Sequence, residues 1–229
     1  MHLMDKQHTE RPSSGSRTMV GILRNEGYAI NRKKVQRLMR IMGLFSVYPK
    51  PRTSIPSKNH KKYPYLLKNL DISSPNHVWC TDITYIRMKH GFMYLTAVMD
   101  WHSRYVLSWR LSNTLDSNFC IDALEESFSL GKPKIFNTDQ GVQFTSSCFI
   151  SILQNRNIKI SMDGKGRYLD NIFIERLWRT IKYELIYLKE FESVDELYQE
   201  IESYFDYYNY RRPHQSLDLK RPYDIHSKT

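Results

Sequence analysis

The chain has 229 residues, 41% of them hydrophobic and 25% charged, with a formal net charge of +10. This composition is typical of a folded globular protein with one full-sized core and a smaller module. No stretch approaches the roughly 18 apolar residues of a membrane span, and the N-terminal segment lacks the apolar region of a secretory signal. The three cysteines are far apart and form no C-x-x-C pair, which argues against a disulfide framework or zinc knuckle and favours a reducing cytoplasm.

The excess positive charge lies in the N-terminal quarter of the chain. Residues 1–62 carry 14 Lys and Arg against 3 Asp and Glu, whereas residues 63–229 carry 20 against 21. A basic module joined to a nearly neutral domain indicates a polyanionic partner, most simply nucleic acid. A solvated basic tail is the alternative.

Residues 15–47 are predicted to form a basic module that resembles a helix-turn-helix. In NRKKVQRLMRIMGL, Asn31 is placed to cap a helix, apolar residues recur at i, i+3, i+4 and i+7, and Gly43 is placed to end it. A shorter amphipathic helix precedes it, although any small helical hairpin would have the same pattern. The predicted DNA contacts on the second helix are Arg32, Lys33, Lys34, Arg37 and Arg40. Residues 48–70 are rich in proline and basic residues and are predicted to be a linker.

The remaining chain is predicted to be a mixed α/β layer structure. HVWCTDITYIRM, GFMYLTAVMDWH and RYVLSWRLS have the Val, Ile, Thr, Tyr and Trp content of three consecutive hairpin strands. Two helices then alternate with the short strands PKIFNTD and IKIS. We assign residues 71–190 to this core and residues 191–229 to a C-terminal helical extension.

Three acids stand out from this pattern. Asp139 lies where the strand PKIFNTD ends, a position at which α/β sheets often carry functional groups. Asp82 lies inside an apolar strand, where a carboxylate is costly to ionise unless it is paired or bound to a metal; a strand-edge acid that faces solvent is the alternative. Glu175, Arg179 and Lys182 share one face of a predicted helix, and from the residues alone a salt-bridged surface is favoured there.

The spacing of these acids resembles a known catalytic set. Asp139 and Glu175 are separated by 35 residues, and Lys182 follows Glu175 by seven positions, as in the Asp, Asp, Glu (DDE) set of retroviral-integrase-like transposases. The chain resembles the OrfB subunit of bacterial insertion-sequence transposases from about Gly15 to Tyr223. Five ordered segments carry the resemblance: WCTDITYI, VMDWHSRYVLSW, FNTDQGVQFTS, LDNIFIERLWRTIKYE and YNYRRPHQSL.

The resemblance implies a ribonuclease-H-like integrase core, a mixed five-stranded sheet with flanking helices, in which Asp82, Asp139 and Glu175 are catalytic. They would hold two Mg²⁺ or Mn²⁺ ions, because hard divalent cations prefer carboxylate oxygens and paired ions suit in-line phosphoryl transfer. The implied reaction cleaves a phosphodiester at an element end, and the exposed 3′-hydroxyl then attacks a second phosphodiester. Family members generally pass through a circular DNA intermediate.

Additional residues acquire expected roles from the resemblance. Arg179 and Lys182 are expected to contact phosphates beside Glu175. Lys165 and Arg167 lie in a segment that resembles the mobile loop before the catalytic Glu, and we expect them to contact DNA.

Three further acids are interpreted as structural. Asp100 is expected to be a structural residue in a turn beside Ser103 and Arg104. Asp163 and Asp170 are expected to be loop and helix-capping residues.

The family context adds partners and leaves two alternatives open. It implies double-stranded DNA, an OrfA partner, a dimer or higher assembly in the active complex, and a cytoplasmic, nucleoid-associated location. The start of the chain looks short or altered relative to the family pattern. The alternatives are a degenerate copy that only binds DNA as a regulator of transposition, and a ribonuclease-H-like nuclease without joining activity.

Overall fold

The structure, a computed structural model, describes residues 1–47, 62–164 and 171–227. The chain divides into a helical unit, Met1–Ile55, and a larger unit, Pro56–Thr229. Most of the predicted linker lies outside the described residues, as do Lys165, Arg167 and Asp170. The finer division at residues 15, 48, 71 and 191 stays a prediction.

The helical unit contains α1 (His2–Glu10), α2 (Ser16–Asn25) and α3 (Arg32–Ile41). Both predicted helices are confirmed: the Asn31 side chain accepts a hydrogen bond of 2.9 Å from the Lys34 backbone N–H, which caps α3. Helix α1 lies before the predicted module and packs into the same small core through Met4. The five predicted DNA contacts on α3 are all exposed.

The larger unit is built on a five-stranded sheet with the strand order β3-β2-β1-β4-β5. Strands β1, β2 and β3 are antiparallel neighbours, which confirms the predicted hairpin strands, and β4 and β5 run parallel to β1. The strands are β1 (Val78–Arg87), β2 (Phe92–Asp100), β3 (Val106–Ser112), β4 (Ile135–Thr138) and β5 (Lys159–Met162).

Helices cover both faces of this sheet. Side chains from α4 and α5 pack on one face with Trp79 and Phe136, while α6 and α7 pack on the other with Val78 and Cys80. Alternate residues of β1 thus enter different cores, as the two-residue repeat of a strand requires. Among the described residues, no helix is long and apolar enough to cross a membrane. The helices are α4 (Asn118–Ser127), α5 (Ser147–Asn155), α6 (Ile172–Glu184), α7 (Val194–Tyr210) and α8 (Pro222–His226).

Candidate active site

Sheet register brings the two aspartates to neighbouring positions. Strand β1 pairs with β4 in parallel, with Cys80 opposite Asn137. If this register is continued by two residues along both strands, Asp82 lies beside Asp139, which directly follows β4. Because side chains alternate along a strand, Asp82 points to the same face as Cys80, the face that α6 covers.

The Asp82 carboxyl is held by a tryptophan of α6. The Trp178 indole Nε1 donates a hydrogen bond of 3.0 Å to Asp82 Oδ2. Burial and then the negative charge of Asp139 raise the pKa of Asp82 to about 7, against weaker opposing effects of the Ile83 backbone N–H and Trp178. The folded protein alone therefore disfavours the ionised form of this acid.

Asp139 is fixed by a tight turn after β4. Its Oδ1 accepts a hydrogen bond of 2.8 Å from the Gly141 backbone N–H. Burial raises the pKa of Asp139, and this hydrogen bond opposes the rise. A Cβ atom at position 141 would lie only 2.8 Å from the same Oδ1, so the turn requires glycine for its close approach to the carboxylate.

Glu175 lies in the first turn of α6 and shares a surface groove with Asp82. This groove, which we call the Asp82 groove, has a volume of about 480 Å³ and is also lined by Arg179 and Lys182. Burial raises the pKa of Glu175. Burial lowers the pKa of Lys182, while the charge of Asp82 opposes that effect. The groove is thus lined by two carboxylates and two cationic side chains.

Asp82, Asp139 and Glu175 supply the carboxylate oxygens that hard divalent cations prefer. These three side chains do not form one compact cluster. Within residues 1–47, 62–164 and 171–227, no three acidic, histidine or cysteine side chains lie close enough to hold one metal ion. Among the same residues, neither Asp82 nor Asp139 forms an ion pair with Lys or Arg. Asp82 is half-buried and Asp139 is exposed. Neighbouring oxygen donors of like charge that form no ion pair are suited to binding Mg²⁺.

The structure also tests the other acids. Asp100 is buried; its Oδ1 accepts hydrogen bonds of 2.7 Å from the Ser103 backbone N–H and from the Ser103 hydroxyl. Its Oδ2 accepts one of 2.7 Å from the Asn76 backbone N–H, which confirms a structural role. Asp163 follows β5 and accepts a hydrogen bond of 2.9 Å from Asn137 Nδ2. It therefore connects β5 to β4 from a buried position.

Two residues at this site were missed in the sequence. Trp178 was not singled out, although its spacing of three from Glu175 puts it next to that acid. Gly141 carried no signal beyond its position two residues after Asp139. Both act through contacts that only the folded chain makes.

Comparisons with known proteins match both units. Residues 72–167 and 156–222 each match an integrase core domain family, and residues 1–52 match an HTH-like domain family. The chain is 34% identical to the transposase of insertion sequence IS904 from Lactococcus lactis, over 95% of this chain and 89% of that protein. It is 30% identical to the transposase InsF of IS3A from Escherichia coli K12, over 86% of this chain and 72% of that protein.

Solved structures agree with the fold. The HTLV-2 integrase catalytic core, solved in complex with magnesium in a dimeric form, has a TM-score of 0.52 and 25% identity, over 68% of this chain and 98% of that chain. A simian T-cell lymphotropic virus intasome has a TM-score of 0.59 and 17% identity, over 96% of this chain and 73% of that chain. The second likeness bears on fold alone.

The mixed five-stranded sheet with helices on both faces defines an integrase-core protein of the ribonuclease-H-like class. Together with the matches over most of the length of two transposases, this settles the family. The chain belongs to the insertion-sequence transposases, enzymes of the polynucleotidyl transferase class, and the resemblance found in the sequence is confirmed.

Proposed function

We propose that this transposase cuts and joins DNA strands with Asp82, Asp139 and Glu175 as its catalytic carboxylates. The observation that supports it most directly is that Asp82 and Asp139 are neighbours at the end of β4. Among the described residues, neither acid forms an ion pair with Lys or Arg. Glu175 lines the same groove as Asp82. Side-chain alternation along β1 directs Asp82 to the face that α6 covers, and Glu175 lies in the first turn of α6.

The proposed cofactor is Mg²⁺ or Mn²⁺, with two ions in the active complex. When bound, divalent ions activate the attacking oxygen and stabilise the leaving oxygen of a phosphoryl transfer. Asp82, Asp139 and Glu175 would hold them, and the HTLV-2 integrase core was solved with magnesium. Two ionised aspartates that repel each other in the absence of a cation give the site a strong preference for divalent charge.

The neighbouring side chains have positioning roles in this proposal. Trp178 orients the Asp82 carboxyl through its indole N–H, and Gly141 orients Asp139 through its backbone N–H. Arg179 and Lys182 line the groove beside Glu175 and would contact phosphates on either side of the reacting bond. They would thereby attract the negatively charged backbone towards carboxylates that would otherwise repel it.

The helical unit is the proposed site of duplex binding. Five exposed basic residues lie along α3, and this unit matches an HTH-like domain family. Phosphate contacts from Lys and Arg would give this binding a strong salt dependence. The proposed partners are double-stranded DNA at the element ends and target, an OrfA subunit, and a second copy of the chain. We propose a cytoplasmic, nucleoid-associated location.

Asp139→Asn is the variant that tests the function. It preserves the shape of the side chain and removes its charge, so we expect DNA cutting to be abolished while DNA binding is largely retained. The matched control is Asp122→Asn, the same change at an exposed position of α4, which should leave both properties unaltered. Cutting by Asp139→Asn at the normal rate would refute the assignment.

The products separate this proposal from its two alternatives. Supercoiled DNA that carries the element is incubated with the chain, OrfA and Mg²⁺, and strand ends and junctions are sequenced. Joined products support a transposase, whereas cut but never joined ends would indicate a nuclease. DNA binding without any metal-dependent product would favour the regulator.

A further inference from the structure

A second groove lies on the other side of α6 from the Asp82 groove. It has a volume of about 920 Å³, and Arg179 and Tyr183 line both grooves, so these two side chains form a ridge between them. We call it the arginine groove, because four arginines line it: Arg104, Arg176, Arg179 and Arg212. None of the catalytic carboxylates lines it.

Most of the positive charge in the arginine groove is not neutralised. Arg212 is paired with Glu184, through hydrogen bonds of 2.6 Å from Nη2 to Oε1 and 2.9 Å from Nε to Oε2. Among the described residues, the other three arginines form no ion pair with an acid. The groove therefore carries an excess of cationic groups within a domain that is nearly neutral overall.

Two of these arginines meet on one aromatic ring. The Arg104 Cζ atom lies 3.3 Å from the centre of the Phe173 ring, and the Arg176 Cζ atom lies 5.9 Å from it. The Arg104 guanidinium donates no hydrogen bond to any described residue. Burial is the main cause that lowers the pKa of Arg104, to about 10; the nearby Cys80, Tyr208 and Asp100 oppose it, and the charge of Arg176 adds a smaller lowering effect. An anion beside the two guanidiniums would favour the charged form of Arg104.

A buried histidine adds evidence that the groove receives a polar ligand. His214 belongs to YNYRRPHQSL, one of the five segments that carry the family resemblance, and it is 8% exposed. Its Nε2 has no hydrogen-bond partner among the described residues. Burial, and next the charge of Arg212, lower the pKa of His214 to about 4, so the ring is neutral and adds a polar atom without charge.

We propose that the arginine groove binds a single DNA strand, whose phosphates contact Arg104 and Arg176 and which crosses the Arg179–Tyr183 ridge into the Asp82 groove. Planar guanidinium groups match phosphate oxygens in a bidentate manner. The exposed ring of Tyr183, beside Arg179, offers aromatic surface next to these arginines, and this combination is typical of single-stranded nucleic acid sites. The inference rests on the proposed function, since it takes the substrate to be DNA.

The test is equilibrium binding of a fluorescent single-stranded oligonucleotide in EDTA, measured by anisotropy over a range of salt concentrations. All chains also carry Arg37→Gln and Arg40→Gln, so that the helical unit does not mask the signal. We expect Arg176→Gln to weaken binding about tenfold, the loss of one charge-assisted contact. The slope of log affinity against log salt should fall by about 0.7 for each phosphate contact removed.

Arg156→Gln is the matched control. Arg156 also stacks on a phenylalanine, with its Cζ atom 4.4 Å from the centre of the Phe128 ring, and it is not in the arginine groove. Its substitution should leave affinity and salt slope unchanged. Arg104→Gln is the second test variant, and tryptophan fluorescence checks its folding; because Arg176 is exposed, its variant remains informative if Arg104→Gln unfolds.

The outcomes separate this inference from the proposed function. Equal oligonucleotide binding by Arg176→Gln and Arg156→Gln would refute DNA binding in the arginine groove, even if the enzyme cuts and joins DNA normally. Conversely, loss of binding in Arg176→Gln would stand even if no cutting is found. If Arg176→Gln instead loses binding to a polyglutamate peptide and retains oligonucleotide binding, the groove would belong to a protein partner and the inference would be wrong.

Discussion

Replacement of Asp82 by Asn is expected to stabilise the larger unit at neutral pH in metal-free buffer. Burial and the charge of Asp139 raise the pKa of Asp82 from 3.8 to about 7. The folded chain therefore holds this proton more tightly than the unfolded chain does. The stability that Asp82 contributes is fully present below about pH 4 and is lost as the pH rises through about 7.

The pKa values set the size of the effect. A rise from 3.8 to about 7 corresponds to at most about 4 kcal/mol of unfolding free energy. Solvent at the groove reduces it, because Asp82 keeps part of its surface exposed. Asn cannot ionise, and its side-chain oxygen can still accept the hydrogen bond from Trp178. We expect a gain of up to about 4 kcal/mol at about pH 8, and less than half of that gain at about pH 5.

Urea unfolding in EDTA, followed by tryptophan fluorescence, measures this gain. All four tryptophans, Trp79, Trp101, Trp109 and Trp178, lie in the larger unit, so the signal reports its unfolding alone. Asp122→Asn, exposed on α4, should change stability by no more than about 0.5 kcal/mol at either pH. An Asp82→Asn chain that is no more stable than wild type at about pH 8, or whose gain is equal at both pH values, would refute the reasoning.

Three further predictions concern metal binding, the turn that holds Asp139, and the packing of α7 on β3. Mg²⁺ should stabilise the wild-type chain in urea, by about 2.7 kcal/mol at a hundredfold excess over Kd, and equal stabilisation of Asp82→Asn would contradict the metal role of Asp82. Gly141→Ala should lower the cutting rate about a hundredfold, because its Cβ would lie 2.8 Å from Asp139 Oδ1; normal cutting in the plasmid assay would contradict this. Asn209→Ala should cost about 2 to 4 kcal/mol in urea unfolding, since its side chain bonds both the N–H and the C=O of Val106 at 2.9 Å; a loss below 1 kcal/mol would contradict the role of these bonds.

Residue periodicity was sufficient to predict most of the fold. The strand and helix repeats of the larger unit gave the three hairpin strands and the helices and strands that alternate after them, and the cap at Asn31 began α3 as expected. Helix α1 was missed because Met4 is its one buried residue and its sequence has no apolar stripe. A helix that packs through a single side chain leaves too weak a periodic signal to be recognised.

The site was less accessible to reasoning from residues alone. Glu175, Arg179 and Lys182 read as a salt-bridged surface, but among the described residues none of them forms an ion pair. The family spacing gave the alternative role for Glu175. The hydrogen bond between Trp178 and Asp82 joins residues 96 positions apart, and local sequence carries no information about such a pairing.

Helix α6 organises the two grooves because its sequence has three distinct faces. Ile174, Leu177 and Ile181 are buried in the core, Glu175 and Lys182 line the Asp82 groove, and the third face supplies Arg176 and Thr180 to the arginine groove. Each residue turns the helix by about 100°. An insertion of one residue within α6 would therefore move a charged face into the core. The rotational position of α6 therefore fixes the buried face, Glu175 and the face that lines the arginine groove together. None of the three can be shifted along the helix without the other two.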